Sequence, residues 1–218
     1  MRPVVVYVGP LASPNASNIC SSQTPGATGV FILNGALASG GIATLDTPRR
    51  VLFTTGADET GKTITVTGTN WLGNVITENL TGPNATTGYT VLDYATITAI
   101  KSSAAFTGAV TVGTNAIASS PWVCLDAFAP NFTTIQCNAV TSPNYTVQGS
   151  SDDPNSPTDP VAVASMVWTS CPDTTLVGAT ASINGGYTYA PRWVRVLLNS
   201  GSGASVVATV TQFSNGPI

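Results

Sequence analysis

Apolar and polar residues along this chain alternate in short runs, and turn-forming residues break every run. Lys62-Thr63-Ile64-Thr65-Val66-Thr67 is the clearest case. Side chains on a strand point to opposite faces in turn, so Ile64 and Val66 are expected on a core face and the threonines on the other. Thr69-Asn70-Trp71-Leu72-Gly73-Asn74 reads as a turn, and Val75–Leu80 returns from it. The two runs therefore predict a hairpin with Trp71 near its tip. Further strands are predicted at Pro3–Val8, Thr28–Leu33, Gly41–Leu45, Arg50–Thr55, Thr90–Ile100 and Ala109–Val112. A second set follows at Trp122–Ala127, Phe132–Ala139, Tyr145–Gln148 and Val161–Trp168. Trp193–Leu198, a Gly/Ser turn at 199–203, and Ala204–Gln212 predict a terminal hairpin. A short helical turn fits 102–106, and no helix longer than two turns is expected.

Short strands separated by regular turns predict an all-β chain, an antiparallel β-sandwich of jelly-roll-like character. Ala118-Ser119-Ser120-Pro121 reads as a boundary. It divides the chain into an N-terminal β domain, 1–120, with an extended N-terminal strand, and a C-terminal β-sandwich domain, 121–218. The segment 149–160 carries three prolines and three aspartates, which forbid a regular element.

Composition sharpens this picture. The 218 residues are 43% hydrophobic with a net charge of −3, so the chain can bury a core and is not disordered. Charged residues make up only 8%, against about 25% in an average soluble protein. A surface so short of charge suggests that much of it meets other protein chains. Seven basic residues against ten acidic ones leave no electrostatic footprint for nucleic acid. No stretch approaches the roughly 20 apolar residues of a membrane helix, and the first residues lack the apolar core of a signal peptide. The chain is expected to be made in a cytoplasm without export.

Candidate chemistry is sparse. There is no histidine, which removes the commonest general base, the Ser-His and Cys-His pairs and most zinc sites. No catalytic residue, metal site or cofactor is expected. Cys20, Cys124, Cys137 and Cys171 form no CxxC pair and are expected free and buried in a reducing compartment; a Cys124–Cys137 bridge after release is the alternative. The acids sit mostly in turns, where Asp caps backbone N–H groups. Asp152, Asp153 and Asp159 could offer oxygen ligands to calcium, but their spacing matches no known calcium loop and a solvated turn accounts for them. The candidate interface residues are Trp71, Arg49, Arg50, Arg192 and Arg195. A turn-tip aromatic anchors an interface, stacks on a sugar or simply packs locally on its own hairpin. Arginines can meet carboxylates of a neighbouring subunit, or simply lie on an exposed strand face.

Two groups of phrases carry a resemblance. The first is Asp46-Thr47-Pro48-Arg49-Arg50-Val51, then Ile64–Asn70, Gly73–Glu78 and Thr81–Asn84. The second is Tyr145–Gln148, Asp152–Asn155, Ala190–Val196 and Ser200–Gly203. Together they are similar to small virion structural proteins of tailed, podovirus-like bacteriophages. The resemblance spans about two thirds of the chain and brings no known site. It implies a non-enzymatic particle component assembled in the bacterial host cytoplasm, first of all a capsid decoration (cement) protein. Its partners would be the major capsid protein or other virion proteins, and copies of itself. A tail or head-fibre component, and a carbohydrate-binding β-sandwich for host-surface recognition, are the alternatives.

Overall fold

The computed structural model describes residues 3–27, 29–126 and 132–212. The predicted strands Thr28–Leu33 and Trp122–Ala127 each have one end outside the described residues. Within the described residues the chain is all β, with no α-helix. It divides into two compact units, one formed by residues 1–11 and 117–218 and the other by residues 12–116.

The strands run in chain order as follows. β1 (Val4–Val8) is followed by β2 (Asn15–Gln23), β3 (Ala38–Ser39), β4 (Ile42–Arg49), β5 (Val51–Thr55) and β6 (Thr63–Thr69). Next come β7 (Val75–Thr81), β8 (Thr87–Tyr89), β9 (Tyr94–Ser102), β10 (Val110–Thr114), β11 (Ala118–Ser119) and β12 (Val123–Cys124). The last are β13 (Thr133–Val140), β14 (Asn144–Ser150), β15 (Thr169–Ser170), β16 (Ile183–Tyr187), β17 (Trp193–Ser200) and β18 (Ser205–Gln212).

The unit of residues 12–116 has two antiparallel sheets, ordered β2-β10-β5-β8 and β3-β4-β9-β6-β7. Ile64 and Val66 are fully buried, as the alternation demands, and β6 pairs with β7 as a hairpin in continuous register. Phe53, Tyr94, Ile97, Ile100 and Val112 of the same unit are buried as well. β2 was not expected from its sequence, because Asn-Ala-Ser-Asn-Ile-Cys-Ser-Ser-Gln holds few apolar residues. It pairs with β10 through two register shifts. Close approach is enabled at Gly113, where a Cβ would overlap the Asn15 carbonyl oxygen.

The other unit also has two antiparallel sheets, β1-β18-β13-β16 and β11-β17-β14-β15, with β12 also on β17. Val6, Val8, Ile135, Cys137, Val206, Ala208 and Val210 of the first sheet pack with Tyr145, Val147, Val194, Val196 and Leu198 of the second in one buried cluster. This is a β-sandwich.

Four expectations are corrected. The extended N-terminal strand does not belong with residues 12–120: β1 pairs with β18 over five residues, so the N-terminus completes the C-terminal sandwich. The terminal hairpin is not a hairpin. β17 and β18 lie in different sheets, with the turn between them carrying the chain from one layer to the other. Both strands alternate toward one core, and that pattern is the same for a hairpin and for a crossing between layers. Val161–Trp168 is not a strand: it holds a 3₁₀ turn at Val163–Ser165, and only Thr169–Ser170 pairs. The predicted helical turn at 102–106 is likewise absent; β9 runs to Ser102 and bends follow.

Replacing Gly113 by Ala should lower the stability to urea by about 3 kcal/mol through overpacking at the β2–β10 contact. Gly61→Ala, where an added methyl meets open space, should stay within about 0.5 kcal/mol of wild type.

Candidate functional site

The predicted interface residues separate into three places. Trp71 lies in the β6–β7 turn, and the turn is tightly made. The Asn70 side-chain oxygen accepts from Leu72 N at 2.9 Å and Asn74 N at 3.0 Å. Asn70 N donates to Asn74 O at 2.9 Å, and Gly73 takes the left-handed conformation (φ 81°) that closes the loop. With its backbone satisfied internally, the turn points its apolar side chains outward. Trp71 is 40% exposed, Leu72 61% and Val75 74%. The hairpin end thus leaves three large apolar side chains exposed within five residues.

Arg49 is not on the surface: it is fully buried. β4 ends there and the chain crosses to the other sheet at β5, so the side chain turns inward at the corner. Its Nε donates to the Asn115 carbonyl at 2.8 Å, and Nη2 donates to the same oxygen. Nη1 donates to the Ala12 carbonyl at 3.0 Å and to both Asp46 oxygens at 3.1 Å. Asp46 in turn accepts from Ala12 N at 2.7 Å. The pair thus gathers both ends of the unit of residues 12–116. Partial burial works against the Asp46 charge, but the Ala12 N–H and the Arg49 guanidinium outweigh it and hold the carboxyl below its usual range. Arg50 is half-buried, with its guanidinium 5.7 Å from the Tyr89 ring centre.

Arg192 and Arg195 join a cluster that the spacing of the tryptophans did not reveal. Val194, Val196 and Leu198 face the core, so Trp193 and Arg195 point from the opposite face of the β17–β14 sheet. Arg195 lies opposite Gln148 and donates Nε–H to its side-chain oxygen at 3.0 Å. The guanidinium sits 4.0 Å from the Trp168 ring centre. Trp168 packs on Trp122 at 5.1 Å, and Trp122 on Trp193 at 6.1 Å. Arg192 stands 5.6 Å from Trp193 and forms an ion pair with Asp153 at 3.1 Å. Arg195 is only 6% exposed. Cation–π stacking and the Arg192–Asp153 pair therefore fasten the proline-rich loop to the sheet. The expected exposed pair of arginines becomes an internal fastening, with Arg192 partly open.

Beside the cluster is a cleft of about 150 Å³, lined among others by Ser150, Asp152, Thr169 and Tyr189. That is small against the roughly 300 Å³ or more of typical ligand sites. Asp152 already accepts from Val167 N at 2.6 Å, and Asp153 from Asn155 N at 2.9 Å. The described residues contain no group of three or more acids, cysteines or histidines placed to share a metal ion.

Glu59 and Glu78 follow the same habit. Glu59 is buried, accepts from Thr107 N and Gly108 N at 2.9 and 2.8 Å and pairs with Lys62. Glu78 accepts from Val91 N and Leu92 N at 2.7 and 2.9 Å, and burial still pushes its carboxyl upward. Cys20, Cys137 and Cys171 are buried free thiols, whereas Cys124, expected buried, is exposed. Burial raises Cys20 to about 12 and Cys137 to about 11, so both remain thiols at neutral pH. Among the described residues no helix is long and apolar enough to cross a membrane.

Comparison of the chain with protein-family models, with curated proteins and with solved structures finds no match.

Arg49→Met should destabilise the protein to urea by about 3–5 kcal/mol, because Asp46 and two carbonyls lose a buried partner. A carboxyl with a lowered folded pKa adds stability above its unfolded value and loses it as pH falls through the folded one. The urea midpoint should therefore drop as pH is lowered from about 6 to about 3, and Asp46→Asn should flatten part of that drop.

Proposed function

We propose that the chain is a non-enzymatic structural protein of a tailed-phage particle, a decoration protein that stabilises the capsid by subunit contacts. The observation that carries this reading is the β6–β7 tip. A hydrogen-bonded turn holds Trp71, Leu72 and Val75 in the open, in a chain with very little charge to keep such a patch dispersed. An aromatic held on a rigid element and inserted in a partner's pocket is the usual centre of a protein interface. The resemblance to phage virion proteins implies a particle component, whose partner would be the major capsid protein or another virion protein. The acids add support, since Asp46, Glu59, Glu78 and Asp152 are occupied with backbone N–H groups.

On this reading the tip docks on the capsid lattice, held out by the β6–β7 hairpin. Binding strength comes from buried apolar area and specificity from the shape of the tip.

Purified particles should carry the protein in hundreds of copies if it decorates a capsid. Quantitative mass spectrometry of the particles counts them. A small multiple of six would place it in the tail, and absence from particles would end the virion reading. Trp71→Ala should cut capsid occupancy at least ~10-fold while leaving the thermal unfolding of the free protein unchanged. A tryptophan fluorescence response to host polysaccharide, lost in Trp71→Ala, would instead favour a glycan-binding tip.

A further inference from the structure

Sheet edges need protection, because an unpaired strand offers a row of N–H and C=O groups to any other chain. Most edges of this protein are protected. β3, β11, β12 and β15 have two residues each, and β8 has three. The outer side of β2 is covered, with Gly35 N donating to Ile19 O and Leu37 N to Asn18 O at 2.9 and 2.8 Å. The outer side of β16 is capped at Gly186, whose N–H donates to Asp173 Oδ2 at 3.3 Å and whose carbonyl accepts from Cys171 Sγ at 3.5 Å. β7 carries the buried Glu78 in its middle.

β1 is different. It forms the edge of its sheet, paired on one side with β18. Among the described residues no hydrogen bond meets its other side. Its sequence, Val-Val-Val-Tyr-Val, holds no charge, proline or glycine, and its ladder with β18 has no bulge. Val5 is 46% exposed and Tyr7 63% exposed on the face turned away from the core.

We propose that β1 is the interface of a two-fold dimer, in which it pairs antiparallel with β1 of a second copy. The strand is complementary to itself. An axis through Val6 sets Val5 opposite Tyr7 of the copy on the outer face, and Val4 opposite Val8 on the inner one. Aromatic against β-branched is a favourable cross-strand pair. A one-residue slip would turn each copy's apolar rows to the wrong faces. The other long edge of the same sheet is capped at Gly186, so a head-to-tail chain of sheets is blocked and the contact closes as a dimer. Two four-stranded sheets become one of eight. The dimer stands independently of the particle reading, and in a particle it would present two tips.

The test is the mass of the purified full chain by light scattering and sedimentation. The wild type should show twice its 22.1 kDa mass. Val5→Lys/Tyr7→Lys places like charges across the contact and should shift it to a monomer that still unfolds cooperatively, since both side chains are exposed, and whose melting temperature no longer rises with protein concentration as that of the wild-type dimer does. Tyr7→Lys alone should weaken dimerisation in the same direction. In a Cys124→Ser background, Val5→Cys/Tyr7→Cys should oxidise to a covalent dimer, and neither single cysteine should. A monomeric wild type at about 100 μM, well above the micromolar range of ordinary interfaces, would overturn the proposal. So would a dimer that ignores the lysines, or cysteine cross-linking in any other register.

Discussion

The Arg49 guanidinium holds the carbonyls of Ala12 and Asn115, the two places where the chain enters and leaves one of its units. That contact answers a topological constraint. Residues 12–116 interrupt the other unit, whose β1 precedes them and whose β11 follows them. An inserted unit must therefore bring its two ends near each other. A buried arginine meets this need well: it carries its donors in a rigid fork, and each of its three nitrogens meets a carbonyl or carboxylate. Asp46 neutralises the charge and ties Ala12 a second time. The β4–β5 corner supplies the position, because the chain leaves one sheet there and the side chain falls inside.

The same use of charge recurs. Of seven basic and ten acidic residues, Arg49, Glu59, Glu78 and Arg195 are buried. Each ties down loop or strand backbone, or stacks on an aromatic ring. Low charge content therefore understates how neutral the surface is, because part of that charge is spent inside. Burying a charge is unfavourable unless it is paired and hydrogen-bonded, and here every such group has donors or acceptors converging on it. What remains outside is rich in threonine, serine and asparagine, with exposed apolar side chains at the β6–β7 tip, on β1 and at scattered positions such as Ile32, Phe132 and Val167.

Much of this was legible from pattern. The β6–β7 hairpin, its buried Ile64 and Val66 and its exposed Trp71 follow from period-two alternation and a turn rich in Asn and Gly. β2 was not legible, since its pairing rests on backbone bonds and on Gly113 and not on an apolar stripe. Nor were the roles of the arginines: Arg49 and Arg195 look like exposed strand residues when only neighbours in sequence are considered. Trp122, Trp168 and Trp193 are far apart in sequence, and their stack exists only because β12 pairs with the start of β17 while β15 pairs with β14 in the same sheet.

Local alternation and turn chemistry were enough to settle the all-β class, the main strands and the apolar hairpin tip, because those depend on residues a few positions apart. The pairing of strands was decided by tertiary structure. β17 and β18 follow one another in the chain yet lie in different sheets, and β1 finds its partner about two hundred positions away. Alternation says that a strand has a buried face, but not which layer it joins. That choice belongs to the packing of the whole core, where Val6, Val196 and Val206 meet.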